Sequence, residues 1–266
     1  MNRFSDIYFN LEKYKKEKLG ILKSGFYKKN NSEIEKGHIL PKEAIERNLL
    51  DTEYLQALKA YYNEIKTRKK IHRYFHHLNS SQALTLNLFV PVVEEKLYKK
   101  ITNCEKPIIL KRFEYLEKES FETNYKTNFD FFFQSEIDKY FFEVKYTEQR
   151  FGPAKSDISH NYKFQKEYQP IINIICSQSV NETDFFKDYQ LWRNICYSIY
   201  GHVYFVIPKF RTDLQSQIEA FISHLRPNYR EKIHIFIIDD FVTEMINIKN
   251  MKLSNHYKEF RRKYLL

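Results

Sequence analysis

The chain has 266 residues and a net charge of +10, from 44 Lys and Arg against 34 Asp and Glu. That length is ample for a hydrophobic core. With only five glycines, it contains no G-x-G-x-x-G, no G-x-S-x-G and no H-E-x-x-H, so a Rossmann site, a hydrolase elbow and a zincin helix are excluded and no nucleotide cofactor is expected. Gly20 and Gly25 have P-loop spacing, but Phe26 stands where the phosphate-binding lysine belongs. Cys104, Cys176 and Cys196 are odd in number and far apart, which argues against a disulfide scaffold and for a reduced, cytoplasmic setting. The first residues are charged and lack an apolar signal core. No run approaches the roughly 18 apolar residues of a membrane span, so no membrane partner is expected. The basic balance suits a polyanion; the alternative is a Lys- and Asn-rich surface that reflects codon bias.

Residues 1–78 read as a helical basic region. Asp51 can cap a helix whose apolar positions Tyr54, Leu55, Leu58, Tyr61, Tyr62 and Ile65 recur at helical spacing. It runs into the basic cluster Lys66, Arg68, Lys69, Lys70 and Arg73. Asn79, Ser80 and Ser81 offer a new N-cap for an apolar helix, which Pro91 should kink or restart. The periodicity then changes. Residues 107–116, 129–134 and 140–147 read as three strands. Helical segments follow near 162–168 and 185–200, with the apolar stretch 171–176 between them too short to assign. Residues 202–207 and 232–238 are continuous apolar runs, as in strands buried on both faces, separated by a helix near 214–224. Gly201 should stop the helix before the fourth strand. Residues 241–266 read as a basic C-terminal surface helix. The order β-β-β-helix-β-helix-β implies a mixed α/β sheet with the antiparallel strands first.

Asp130, Glu143 and Lys145 are charged residues inside otherwise apolar strands, N-F-D-F-F-F and F-F-E-V-K-Y. A buried carboxylate is costly unless paired or metal-bound. If Ser135, Glu136, Ile137 and Asp138 form the loop of a hairpin, Gln134 opposes Lys139, Phe133 opposes Tyr140, and the register brings Asp130 opposite Glu143. Directly opposed Cβ atoms lie roughly 4.5–5.5 Å apart. Two carboxylates that close repel unless a divalent cation lies between them, and oxygen ligands suit Mg²⁺ or Mn²⁺. Lys145 shares the face of Glu143. It could orient or help deprotonate a water, or stabilise charge on a phosphoryl oxygen. The competing reading is a salt-bridged strand surface in which Lys145 neutralises Glu143.

Asp130 followed by Glu143-Val144-Lys145 resembles the signature of the PD-(D/E)XK nucleases, and the element order over residues 77–240 is similar to their restriction-endonuclease-like αβββαβ core. The segments His77-Leu78-Asn79-Ser80-Ser81-Gln82-Ala83-Leu84, Asn128-Phe129-Asp130, Glu143-Val144-Lys145-Tyr146-Thr147-Glu148 and Gln190-Leu191-Trp192-Arg193-Asn194 are similar to a bacterial subgroup of restriction-endonuclease-like proteins. Phe129 replaces the proline of the pattern, which the family often lacks. The resemblance implies a core over 79–240. It also implies a metal on Asp130, Glu143 and the Val144 carbonyl, with Lys145 serving the attacking water in hydrolysis of a DNA phosphodiester.

Secondary candidates follow. Gln82 lies on the helix that in this fold runs beside the active site, or it completes a helix cap. Glu148 follows the third strand and could contact metal-bound water. Gln190, Arg193 and Asn194 share one helix face and are candidates for positioning phosphate or for a buried scaffold. Lys66, Arg68, Lys69, Lys70 and Arg73 are candidates for nucleic-acid contact, against a plain solvated face. His72 and His76 have helical i,i+4 spacing, but no third and fourth ligand accompanies them. The expected function is a metal-dependent DNA endonuclease in restriction or phage defence. The alternatives are a DNA-repair or RNA-directed nuclease of the same fold, or a non-catalytic nucleic-acid-binding module. Duplex cleavage by such folds often uses two active sites, so a homodimer stays open.

Overall fold

The computed structural model describes residues 3–29, 32–155 and 157–266. In chain order its elements are α1 (Arg3–Glu17), β1 (Gly25–Lys29), β2 (Ser32–Lys36), α2 (Leu55–Thr67), α3 (Ser81–Glu94), α4 (Tyr98–Ile101), β3 (Ile108–Leu116), β4 (Asn128–Ser135) and β5 (Lys139–Val144). Then come α5 (Ile158–Lys163), α6 (Gln169–Ile175), α7 (Glu182–Lys187), α8 (Tyr189–Cys196), β6 (His202–Ile207), α9 (Thr212–Ser223), α10 (Pro227–Arg230), β7 (Ile233–Ile237), α11 (Ile238–Ile246) and α12 (Met251–Tyr264). They form two compact units. The first is Met1–Glu105 with Pro208–Phe210 and Ile237–Leu266; the second is Lys106–Ile207 with Arg211–Phe236. Among the described residues no helix is long and apolar enough to cross a membrane. Cys104, Cys176 and Cys196 are all buried free thiols.

In the first unit the expected helical run through residue 78 is interrupted by an antiparallel pair, β1 with β2, in register from Gly25↔Lys36 to Lys29↔Ser32. Gly25 is required there: a Cβ would lie 2.2 Å from the Leu40 carbonyl oxygen, and the Gly25 amide donates to the Ile39 carbonyl at 2.9 Å. Asp51 is not the cap of α2. The Leu55 amide bonds the Thr52 carbonyl at 2.9 Å, a turn that delays the helix until Leu55. Ser80 is the cap of α3, its hydroxyl accepting from the Ala83 amide at 3.3 Å.

Helix α3 is apolar nearly all round and buried from Gln82 to Val93, as a central helix must be. Pro91 neither ends nor restarts it. The missing proline N–H would have bonded the Asn87 carbonyl; that carbonyl accepts from His256 Nε2 of α12 at 2.7 Å instead. The neighbouring Leu88 carbonyl accepts from the Tyr257 hydroxyl at 2.8 Å. Helix α12 is therefore not the plain surface helix expected of its basic sequence. Tyr257, Phe260 and Tyr264, spaced as one stripe, are buried. So is Lys263, whose Nζ donates to the Asn48 carbonyl at 2.6 Å and to its Oδ1 at 2.7 Å.

In the second unit five strands lie in the order β3-β4-β5-β6-β7. β3 with β4 and β4 with β5 are antiparallel, and β5 with β6 is parallel. The parallel pair needs a long crossover, which α5 to α8 supply, with a π-helical turn at Phe164–Tyr168. This is the mixed α/β sheet of a restriction-endonuclease-like fold. The core is aromatic: Phe129, Phe131, Phe132, Phe133, Phe141 and Phe142 are wholly buried. β6 is buried after its first residue. β7 is only half-buried beyond Ile233, contrary to expectation, because it is the edge strand. Gly201 precedes β6 where a Cβ would lie 2.2 Å from the Lys139 carbonyl oxygen.

The repair of α3 and the burial of Lys263 can each be tested. His256→Leu should orphan the Asn87 carbonyl and cost about 1–3 kcal/mol. Pro91→Ala in that background restores the amide donor and should recover part of the loss, read from urea melts of the single and double variants; purely additive effects would refute the repair. Burial, the largest influence on Lys263, holds its pKa well below the ordinary 10.5. Below 10.5 the unfolded chain therefore binds more protons than the folded one, and stability is lost as pH falls, by up to about 1.4 kcal/mol per pH unit. Lys263→Met should flatten the stability profile between pH 7 and 9.5 relative to the parent.

Candidate active site

The β4–β5 hairpin turns on Ser135, whose hydroxyl accepts from the Ile137 and Asp138 amides at 3.3 and 3.0 Å. The register is the expected one, from Gln134↔Lys139 to Phe131↔Phe142. One step further Asp130 falls opposite Glu143, and there the strands part. Asp130 Oδ2 accepts from the Val144 amide at 2.7 Å, a side-chain carboxylate standing in for a strand carbonyl. On its other edge β5 stays paired, Glu143↔Phe205 and Val144↔Val206, and the Lys145 amide continues to the Val206 carbonyl at 2.9 Å.

Glu143 and Lys145 are buried, with side-chain exposures of 6% and 9%, and pair at 3.1 Å. The carboxamide of Gln190 on α8 locks the pair. Its Nε2 donates to Glu143 Oε1 at 2.7 Å, and its Oε1 accepts from Lys145 Nζ at 3.0 Å and from the Gly152 amide at 3.3 Å. Burial opposes the Lys145 charge, but Glu143, Glu148 and Asp130 outweigh it and raise the pKa above the ordinary 10.5. Asp130 is half-buried, and burial, then the Glu143 and Glu114 carboxylates, push its acid well above the ordinary 3.8. Glu148 accepts from the Tyr146 amide at 2.8 Å. Among the described residues, Asp130 Oδ1 and Glu143 Oε2 receive no hydrogen bond.

Two residues around this centre, Glu114 and Arg211, have no counterpart among the sequence candidates. Phe113↔Phe131 and Tyr115↔Phe129 pair on either side of Glu114, so Glu114 occupies the register position opposite Asp130 on β3. It is buried, takes φ +53° in mid-strand, and accepts from the Asn128 carboxamide. The criterion that selects Asp130, a charge between aromatic residues in a strand, also fits Phe113-Glu114-Tyr115. Arg211 is wholly buried and donates to the Tyr146 and Gln149 carbonyls at 3.1 and 3.2 Å, which holds the segment that carries Glu148; nothing in its local sequence marks it.

The other candidates are placed as follows. Arg193 faces the loop before β4. It bonds buried Glu122 at 3.0 Å, the Thr127 hydroxyl at 3.1 Å and the Tyr125 carbonyl at 2.8 Å. Glu122 also accepts from the Tyr168 hydroxyl and from the Tyr197 hydroxyl at 2.6 Å. Although burial opposes it, Arg193 and these hydroxyls hold the Glu122 pKa below the ordinary range. Asn194 is buried, and its amide atoms have no partner among the described residues. In the first unit, the Gln82 carboxamide donates to the Lys70 carbonyl and accepts from the His72 amide, both at 2.9 Å. Lys66 lies over the Tyr62 ring and Arg73 over Tyr74, at 5.8 and 4.5 Å. Arg68 pairs with Glu64 at 3.5 Å, and Lys69 takes φ +56° after the end of α2. None of His72, His76 and His77 lies on a helix: His76 is in a turn, and His77 forms an isolated antiparallel bridge with Ile39. Among the described residues no group of three or more His, Cys, Asp or Glu side chains is arranged to hold a metal ion.

Gln190→Met, close in volume, removes the lock and leaves two buried charges one hydrogen bond short. It should cost about 1–3 kcal/mol in urea unfolding; an unchanged midpoint would mean that Gln190 is incidental to the pair.

No curated protein and no solved structure matches the chain. One family model matches nearly its whole length, residues 9–265, and is described as restriction endonuclease associating with ARP. With its mixed sheet, its parted strands and this match over both units, the chain belongs to the family of restriction endonucleases associating with ARP.

Proposed function

We propose that the protein is a metal-dependent endonuclease of the PD-(D/E)XK type that hydrolyses DNA phosphodiester bonds in restriction or phage defence. The observation that carries this reading is the pair of undonated oxygens, Asp130 Oδ1 and Glu143 Oε2, on two strands that part beside a buried ammonium. The donor set fits a hard divalent ion. Two carboxylates that repel each other are relieved by Mg²⁺ or Mn²⁺, and the Val144 carbonyl would complete the protein's share of ligands. When bound, such an ion supplies Lewis acidity at a phosphoryl oxygen.

The chain's own residues do the rest. Gln190 fixes Glu143 Oε1, so that Oε2 is the oxygen presented. Lys145 stays cationic, held so by three carboxylates; its role is to stabilise charge on the phosphoryl group and orient the attacking water, not to remove a proton. Glu148, held by the Tyr146 amide, strengthens that charge. The basic run Lys66–Arg73 would meet phosphates by charge alone. Three buried free thiols suit a reducing cytoplasm.

The test is incubation of the purified chain with plasmid, single-stranded DNA and RNA, with Mg²⁺ and with excess chelator. DNA nicking should require the metal. Asp130→Asn keeps an acceptor for the Val144 amide but removes a repelled charge. It should cut nicking by at least about 100-fold while the melting temperature holds or rises. Full cleavage in chelator, or a wild-type rate in Asp130→Asn, would refute the metal mechanism. RNA cleavage alone would reassign the substrate.

A further inference from the structure

The first unit contains a cavity of about 310 Å³ formed by β1, β2, the Pro41–Glu43 segment and the Arg73–His76 segment. That is the size of a small-molecule site. Four cations line it against two carboxylates, Glu33 and Glu43. Lys23 pairs with Glu43 at 3.4 Å and Lys28 with Glu33 at 3.5 Å. Among the described residues, Lys42 and Arg73 have no carboxylate partner.

The lining is otherwise aromatic. Phe26 is 47% exposed, so its ring is open to a ligand. Tyr74 is held by ring contacts to Tyr27 and His77 at 5.6 and 4.7 Å, with the Arg73 guanidinium on its face. His76 is 3% exposed. Its Nε2 is buried without any partner. A buried polar atom left unpaired costs about 1–3 kcal/mol unless a ligand completes it.

We propose that this cavity binds a nucleoside phosphate, with the base against Phe26 and Tyr74, its polar edge at His76 Nε2, and the phosphate at Lys42 and Arg73. Rings of this kind hold any base by stacking, and a guanidinium suits phosphate oxygens. A simple anion would use the cations and leave the rings and Nε2 idle. The ligand can be a free mononucleotide or one nucleotide of a strand. The proposal uses residues of the first unit alone; only Arg73 is shared with the basic run of the nuclease reading, and Lys42, Phe26, Tyr74 and His76 are independent of it.

The test is calorimetric titration of the full chain with 5′-dAMP, adenosine, inorganic phosphate and a 12-nucleotide DNA strand. It is repeated on Lys42→Ala, Arg73→Ala and His76→Phe, with Lys118→Ala as a charge control. dAMP should bind saturably, at least tenfold tighter than phosphate or adenosine, and Lys42→Ala and Arg73→Ala should each weaken it about tenfold. His76→Phe should weaken it too, and its circular dichroism shows whether the fold is kept. If only the strand binds, with the same sensitivity and none in Lys118→Ala, the ligand is a nucleotide within nucleic acid. Phosphate binding as tightly as dAMP, or binding of dAMP and strand that ignores Lys42 and Arg73, would overturn the proposal, as would no binding at all. Loss of cleavage in Lys145→Ala with dAMP binding intact would keep this site distinct from the catalytic reading.

Discussion

At Val144 one backbone amide changes partner, from a strand carbonyl to the Asp130 carboxylate. Everything at the centre follows from that exchange. It ends the β4–β5 ladder at Phe131↔Phe142 and leaves the next pair of side chains, Asp130 and Glu143, without intervening sheet hydrogen bonds. It also spends one Asp130 oxygen and spares the other. The opposite edge of β5 has no such freedom, because β6 holds it through Val144↔Val206. A strand firm on one side and open on the other can present charge without dissolving the sheet.

The charges collected there are not balanced pair by pair. Glu143, Glu148 and Asp130 all act on Lys145, and Glu143 and Glu114 both act on Asp130. One ammonium answers several carboxylates in a region of low effective dielectric, where each uncompensated charge is expensive. Around this excess the fold places its firmest polar anchors. Arg211 ties down the chain after β5, and Glu122 with Arg193 and two tyrosines ties down the chain before β4. The segments that flank the centre are thereby fixed by buried groups of opposite sign, one a guanidinium on carbonyls, the other a carboxylate under hydroxyls and a guanidinium.

The hairpin register, the antiparallel start of the mixed sheet and the Asp130–Glu143–Lys145 grouping were legible because period-two patterning and a four-residue loop leave little choice of pairing. Gln190 was legible as one of three polar residues on a helix face, but their fates diverge. Gln190 reaches the Glu143–Lys145 pair, Arg193 goes to Glu122, and Asn194 has no partner among the described residues, because a shared face fixes direction and not distance. β1 and β2 were hidden by basic residues that suit helix and strand alike, and by a glycine whose need arises from Leu40, fifteen positions on. The buried stripe of α12 was masked by the lysines and arginines between its aromatic residues. Glu114 was visible by the same rule as Asp130, while the φ reversal that sets it in the strand has no local signature.

The bond from His256 to the Asn87 carbonyl that Pro91 leaves open has a consequence for synthesis. The helix at the heart of the first unit carries a gap in its own bonding that a residue 165 positions later closes. At about 5–20 residues per second, a ribosome needs roughly 8–33 s to reach that residue after passing Pro91. During that time the most apolar helix of the chain, with its Asn87 carbonyl unbonded, exists without the segment that completes it. The second unit, Lys106–Ile207 with Arg211–Phe236, is made within the same interval, so the nascent chain can finish the sheet while α3 still waits for its histidine.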